Sequence, residues 1–319
     1  MNFRYSFVIP VYNRPEEVED LLRSLTQLEE GEPFEVVLVE DGSENTSEAI
    51  VASYKQVLDI QYFLTENQGA GKSRNLGMQK ACGNYFLILD SDCLVPSGYL
   101  TAVHSQLTTL PTDAFGGPDA AHRDFSVVQK AINFAMTSFL TTGGIRGKKN
   151  AVGKFQPRSF NMGISKRAFE ETGGFSDQKI GEDIDLTFRL WAKGFQTQFI
   201  EKAFVYHKRR STYKQFLLQT YAFGSTRPFL NQKYPGTAKL TYWFPSLFCL
   251  GFLGAVFFAF RGFEFFAYIY VSYFVLLFVQ GSLQYKSLRV GLQCVLATTV
   301  QFAGYGFGFL KKVFRTLKS

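Results

Sequence analysis

The sequence predicts an α/β chain: a mostly parallel sheet flanked by helices over residues 1–239, followed by a membrane region of two or three helices over 240–319. Three observations predict it. Short apolar, β-branched runs alternate with helix-start signals before residue 92, the order of parallel strands joined by crossover helices. Acidic residues recur where those runs end, which is where ligands sit in open α/β sheets. The stretches 240–260, 265–285 and 290–310 hold no charged residue. At 21 residues each they would reach ~31 Å as helices, against a hydrocarbon core of ~30 Å.

Residues 3–11 form an apolar run and read as a buried strand. Asn13-Arg14-Pro15 follows, with Asn13 able to cap, Pro15 suited to the first helical turn, and Glu16, Glu17, Glu19 and Asp20 favouring a helix amino end. Leu21, Leu22, Leu25 and Leu28 continue one face of that helix. The second strand, 34–39, ends at Glu40-Asp41-Gly42-Ser43, and a helix to about residue 57 and a strand 60–64 come next. The turn Asn67-Gln68-Gly69-Ala70-Gly71 opens a helix over 72–81, and the fourth strand, 85–89, ends at Asp90-Ser91-Asp92. Further on, 161–165 reads as a strand and 166–172 as a short helix stopped by Gly173-Gly174. A helix over 182–193 closes at Gly194, and the apolar run 203–206 reads as a strand ahead of His207. The segment 143–158 is rich in Gly, Lys and Arg and reads as a mobile loop.

Composition narrows the class. The chain has 319 residues, is 46% hydrophobic and 17% aromatic, and so is not disordered. The four cysteines show no paired framework, so a disulfide scaffold is excluded and a reducing compartment is expected. Residues 1–239 carry 27 basic and 26 acidic side chains, whereas 240–319 carry 7 basic and 1 acidic. A basic excess confined to an apolar region points to membrane lipid rather than nucleic acid, whose binding the near-neutral first region disfavours. The short apolar run near the amino end is broken by Pro10 and followed by acids, unlike a secretory signal. The expected location is the cell inner membrane, with residues 1–239 facing the cytosol. Three full crossings would put Lys311, Lys312, Arg315 and Lys318 outside, against the positive-inside tendency, so one segment is expected to lie in the interface or re-enter. The segment 290–310, with its Gly residues and Gln293 and Gln301, fits that role best.

Several groups carry possible chemistry. Asp90 and Asp92 stand two apart beyond a buried strand, and carboxylate oxygens suit Mg²⁺ or Mn²⁺ bridging a diphosphate. Solvated turns hold the same triplet, so its weight comes from the strand before it. Asp41 can accept from a nucleobase or ribose, or simply shape an Asp-Gly-Ser turn. The segment Gly69-Ala70-Gly71-Lys72-Ser73 lacks the spacing of a phosphate-binding P-loop, because position 66 is Glu. It can still bring Lys72 and Arg74 near an anion at a helix start. Glu182-Asp183 offers a general base, or only favours the helix dipole together with Asp185. His207, followed by Lys208, Arg209 and Arg210, could serve a metal or a diphosphate, or be structural.

Taken together, FVIPVYNR (7–14), VVLVEDGS (36–43), NQGAGKSRNLG (67–77), FLILDSDC (86–93), FNMGISKRAFEETGGF (160–175) and GEDIDLTFRLWAKGF (181–195) resemble the inverting family 2 glycosyltransferases of GT-A fold. The resemblance covers about residues 3–230. It implies a nucleotide-diphosphate sugar donor, a divalent metal (Mn²⁺ or Mg²⁺) and inversion at the anomeric carbon. It implies that Asp41 contacts the nucleobase, Arg74 helps hold the nucleotide, and Asp90 and Asp92 serve ribose and metal. Asp183, of the Glu182-Asp183 pair, is the base, His207 completes the metal or diphosphate site, and Pro10 and Tyr12 line the nucleotide. Arg209, Arg210 and the bases of 146–158 are expected at the leaving diphosphate or a lipid diphosphate.

Two departures matter. The usual Asp-Asp-Gly-Ser is Glu40-Asp41-Gly42-Ser43 here, with Asp41 in place. The QxxRW motif of processive synthases is absent from Gln219-Thr220-Tyr221-Ala222-Phe223-Gly224, which favours transfer of a single sugar to a glycan or lipid-linked acceptor over polymerisation. Two alternatives stand. A polyprenyl-phosphate sugar synthase would need no strong base, because its acceptor is already ionised. A non-catalytic membrane scaffold would not need Asp41, Asp92 and Asp183 together.

Overall fold

The computed structural model of the protein describes residues 2–120, 122, 124–143 and 155–316. Most of the basic, Gly-rich segment expected to be a mobile loop lies outside the described residues. Those residues pack as two compact units, one of residues up to 122 with 155–208, the other of 124–143 with 209–316.

In the first unit β1 (Tyr5–Val11) is buried along its whole length, as an unbroken apolar run requires. It pairs in parallel with β2 (Phe34–Asp41) on one side and with β4 (Tyr85–Leu89) on the other, and β3 (Ile60–Thr65) extends β2. The crossover helices are α1 (Pro15–Leu25), α2 (Glu48–Tyr54) and α3 (Ala70–Lys80). In α1, Pro15 sits in the first turn with Glu16 and Glu17, and Val18, Leu21, Leu22 and Leu25 turn to the sheet. Full burial of such a side chain stabilises by about 1.5–3 kcal/mol, so this face anchors the helix.

Beyond β4 the chain forms β5 (Cys93–Leu94), α4 (Tyr99–Thr109), β6 (Ala114–Gly116) and β7 (Asp119–Ala120). Later come β8 (Asn161–Ser165), α7 (Lys166–Thr172), α8 (Glu182–Ala192), β9 (Thr197–Phe199) and β10 (Val205–His207). The large sheet has the order β3-β2-β1-β4-β8-β6-β9, and β8 runs antiparallel to both neighbours. The small sheet has the order β5-β10-β7. The expected mostly parallel sheet flanked by helices is the architecture observed.

The second unit is helical: α5 (Val127–Thr137), α6 (Phe139–Thr142), α9 (Tyr213–Lys233), α10 (Phe244–Phe260), α11 (Phe265–Tyr285) and α12 (Leu288–Thr316). Ser126 and Gln129 cap α5 reciprocally. The stretch 240–260 begins with a 3₁₀ turn, and Pro245 in the first turn of α10 marks the helix start. Among the described residues α11 is the one helix both long and apolar enough to cross a membrane, and α10 is apolar but shorter. The expected third span, 290–310, lies within α12, one face of which is buried through Val290, Cys294, Ala297 and Phe302.

Candidate active site

The site is built at the carboxyl ends of β1, β2 and β4, where parallel strands leave a crevice. Beyond β4 the chain passes through Asp90-Ser91-Asp92 into β5, which pairs antiparallel with β10 so that His207 lies opposite Cys93. The Lys208 N–H donates to the Asp92 carbonyl at 3.0 Å, so the triplet and His207 share one ladder. His207 Nε2 stands 3.1 Å from Asp92 Oδ1 and 4.0 Å from Asp90 Oδ2. Its ring stacks on Phe160, centroids 4.8 Å apart, which sets its orientation. Arg14, at the start of α1, pairs through Nη1 with the other Asp92 oxygen, Oδ2. Burial works to raise the Asp92 carboxyl, but His207 and then Arg14 outweigh it and hold it well below the usual carboxylate range.

These groups fit a divalent cation. Among the described residues, the buried Asp92 Oδ1 has no hydrogen bond beyond its pairing with His207 Nε2, and His207 Nδ1 has no hydrogen-bond partner. Adjacent ligands of an octahedral ion with bonds of ~2.1 Å stand about 3 Å apart, which the Asp92–His207 separation matches. Cys93 Sγ also lies within 4.8 Å of this pair. Its thiol is buried, faces the Phe160 carbonyl at 3.5 Å and is pushed well up by burial, so it presents S–H rather than thiolate. The side chains that could hold such an ion are therefore Asp92 and His207, with Asp90 in reach.

A second cluster centres on Arg74. Its side chain is 5% exposed, and it donates to Asp90 Oδ1 at 2.7 Å and to Glu182 Oε1 at 3.0 Å. Phe175 lies against its guanidinium at 5.2 Å. Burial opposes its charge, but Asp90 and Glu182 outweigh that cost. One arginine thus joins the carboxylate after β4 to the first turn of α8. Gly181, with φ +78°, occupies the cap of α8 in a conformation that L side chains rarely adopt. Glu182 is pushed up to about 7, first by burial and then by the neighbouring Asp183 charge, with Arg74 pulling the other way. Asp183 Oδ1 accepts from the Ile184 N–H at 2.7 Å, and Oδ2 faces Arg158 Nη1 at 3.6 Å. Asp185 is structural: it is fully buried and pairs with Arg189, which in turn donates to the carbonyls of Thr172 and Gly174.

Asp41 ends β2 and is buried. Its carboxylate accepts from the backbone N–H of Gln68 at 2.8 Å and of Gly69 at 3.0 Å, tying the β3–α3 turn to the sheet. Gly42 follows with φ +71°, and a Cβ there would lie 2.4 Å from the Asn67 nitrogen, so only glycine fits. Pro10 is buried in β1 opposite Val39, and Tyr12 is 52% exposed just beyond the strand. Arg209 and Arg210 belong to the helical unit. The Arg209 guanidinium donates to Asn133 Oδ1 at 3.0 and 3.2 Å, and Arg210 is exposed.

Asp90, Asp92, Arg74, Glu182 and His207 therefore belong to one unit and are linked by polar contacts, and Asp183 follows Glu182 in the same unit. Two partners carried no specific role in the sequence reading. Arg14 had one available signal, a base directly after the first strand. Arg158 could be read only as one of several bases in its segment.

Residues 6–173 match the family model "Glycosyl transferase family 2", more than half of the chain, and the chain belongs to that family. The chondroitin synthase of Pasteurella multocida (strain Pm70) is 28% identical over 244 residues, 65% of this chain and 25% of that protein. The chain thus spans about a quarter of the length of that relative. The GalNAc(5)-diNAcBac-PP-undecaprenol beta-1,3-glucosyltransferase of Campylobacter jejuni is 23% identical over 231 residues, 70% of this chain and 69% of that one. Among solved structures, the mannosyltransferase PcManGT from Pyrobaculum calidifontis, in complex with GDP-Man and Mn²⁺, superposes with a TM-score of 0.62 at 15% identity, covering 99% of this chain and 88% of that one. That likeness shows the fold.

Proposed function

We propose that this chain is a membrane-attached, inverting glycosyltransferase that moves a single sugar from a nucleotide-diphosphate sugar to a hydroxyl of a glycan or lipid-linked acceptor. The observation that carries the reading is the convergence of Asp90 and Glu182 on the buried Arg74, with Asp92, His207 and Asp183 alongside. Family membership supports it, as does the C. jejuni relative, whose name describes a lipid-linked acceptor. The exposed apolar helix α11 supports attachment to a membrane; we assign that membrane as the inner membrane of the cell, with the α/β unit in the cytosol.

The nucleotide lies across the ends of β1 and β2, against Pro10, Tyr12 and Asp41. Arg74 and Arg14 place positive charge where a diphosphate leaves. Asp92 and His207 would hold a divalent cation, whose chemistry is to neutralise charge on the departing diphosphate. Asp183 takes the proton of the acceptor hydroxyl with Oδ2, while the Ile184 N–H holds Oδ1. The deprotonated oxygen then attacks the anomeric carbon on the face opposite the nucleotide.

The test is release of nucleoside diphosphate by detergent-purified protein, with a panel of nucleotide sugars, Mn²⁺ or Mg²⁺, and lipid extract as acceptor source. Release is expected with at least one donor, and Asp183→Asn should lower turnover about 10²–10⁴-fold, the usual contribution of a general base. No release with any donor, with or without lipid extract, overturns the proposal.

A further inference from the structure

We propose that the chain crosses the bilayer twice, through α10 and α11 alone, and that α12 remains on the side from which the hairpin enters. This rests on the membrane attachment proposed above and adds its topology.

Length comes first. At 1.5 Å per residue, the 21 residues of α11 make ~31 Å, and the 17 of α10 make ~26 Å before the turn Leu240–Tyr242 is added. α11 alone matches a core of ~30 Å, and α10 matches it once that turn is counted. The outward faces are apolar along both helices: Leu253, Phe257, Phe260, Phe265, Ile269 and Leu276 are all exposed. The seam between them is aromatic, with Phe248 and Phe252 against Tyr270, and Phe258 against Phe266. The hydroxyls of Tyr270 and Tyr273 donate to the carbonyls of Phe248 and Leu140, so neither enters lipid without an acceptor.

Charge then gives the direction. The turn joining the helices carries Arg261 and Glu264, which cancel. The opposite ends carry Lys239, Lys286 and Arg289, and α12 adds Lys311, Lys312 and Arg315, with no acid among them. Two crossings put that entire basic set on one face, as the positive-inside tendency and an anionic lipid surface both favour. Polar tethers collect near the same end of α11: Asn133 donates to Tyr285, and Ser138 donates to Gln280. A hairpin reaching only half-way would instead leave Arg261 and Glu264 in hydrocarbon, where charged side chains are costly.

Packing removes α12 from the count. α12 lies against α9, which carries Lys214, Gln215, Gln219, Arg227 and Lys233 and is too polar to cross beside it. The two helices touch through backbone. A Cβ on Gly308 would lie 2.2 Å from the Tyr221 carbonyl oxygen, and one on Gly224 would lie 2.1 Å from that of Tyr305. Tyr213 donates to Gln293 at 2.7 Å. The remaining outward stripe of α12, Leu292, Leu296, Phe307 and Phe314, suits the plane of the interface.

The test is labelling of the full-length protein in a bacterial host with a membrane-impermeant maleimide, on intact and on permeabilised cells. The variants are Phe263→Cys and Arg261→Cys in the hairpin turn, and Ser287→Cys and Thr316→Cys at the two ends of α12. Exposed native Cys82 is the internal control. The turn cysteines should label in intact cells, and Ser287→Cys, Thr316→Cys and Cys82 only after permeabilisation. Thr316→Cys labelling from outside means three crossings and overturns the proposal. Turn cysteines that label only after permeabilisation, or in neither preparation, mean a shallower insertion and overturn it too. Alkaline carbonate extraction separates the two levels of failure. Protein retained in the membrane with the wrong labelling pattern overturns the topology alone, and protein released by carbonate overturns membrane integration with it.

Discussion

Glu182 sits where two demands conflict, and the conflict has a measurable pH signature. The carboxyl is buried beside Asp183 and pushed from the usual 4.5 to about 7, even with Arg74 at 3.0 Å. A rise of that size corresponds to roughly 3 kcal/mol held against the ionised form. The sign follows from linkage. A carboxyl with a raised folded pKa binds its proton more tightly folded than unfolded, so its contribution is complete below pH 4.5 and is lost as pH rises through about 7. Glu182→Gln keeps the shape and the acceptor for Arg74 but cannot ionise. Relative to wild type, the variant should gain about 2–3 kcal/mol between pH 5 and pH 8. At about 2–4 °C per kcal/mol for a unit of this size, that is a relative gain in Tm of about 5–10 °C. The assay is thermal unfolding without nucleotide or metal, followed by the fluorescence of Trp191 on the same helix in a Trp243→Phe background. A difference between variant and wild type that is the same at pH 5 and pH 8 would refute the reasoning, since Glu182 would then ionise as easily folded as unfolded.

Two further outcomes follow from other contacts of the first unit. Gly42→Ala should destabilise the first unit by about 1–3 kcal/mol, because φ is +71° and the new methyl meets the Asn67 backbone, and chemical denaturation checks it. Glu35 is buried, which raises its carboxyl, but bonds from Ser6, Gln61, Cys82 and Gly83 outweigh burial and lower it on balance. Its contribution is therefore present above the unfolded value near 4.5 and lost as pH falls, so the acid limb of a stability–pH profile should be shallower in Glu35→Gln.

Much of the fold was legible because the buried parallel strands are written as unbroken apolar runs. The reading of 85–89 coincides with β4, and that of 161–165 with β8. Direction was not legible: nothing in Asn-Met-Gly-Ile-Ser says that β8 runs antiparallel to β4, which follows from which strand edge is left free. Strands of two or three residues, such as β5 and β7, are too short for any periodicity to register. The stretch 290–310 is as free of charge as 240–260 and 265–285, and only its glycines with Gln293 and Gln301 set it apart in composition. What those glycines do, bringing α12 against the backbone of α9, is a tertiary fact that hydropathy does not encode. In the site, the acids were legible because each follows an apolar strand or opens a helix. Arg14 was not, since its partner Asp92 lies 78 residues away and only the sheet brings the two together.

The departure at Glu40 shows how a strand end divides its labour. Side chains on a strand alternate between faces, so Glu40 and Asp41 cannot serve the same neighbours. Glu40 points into the core, where it is fully buried and accepts from the Ser47 N–H at 2.9 Å and the Tyr62 hydroxyl at 2.8 Å, with Ser43 on its other oxygen. Asp41, on the opposite face, organises the turn that leads into the helix bearing Arg74. The first acid is thus answerable to packing and can take an extra methylene if its partners stand further off. The second is answerable to the turn beside the site, where a longer side chain would displace the Gln68 and Gly69 amides and, through them, the start of α3. That asymmetry explains why a change from the usual residue is accommodated at position 40 while Asp41-Gly42 keeps the form its close approach to Asn67 demands.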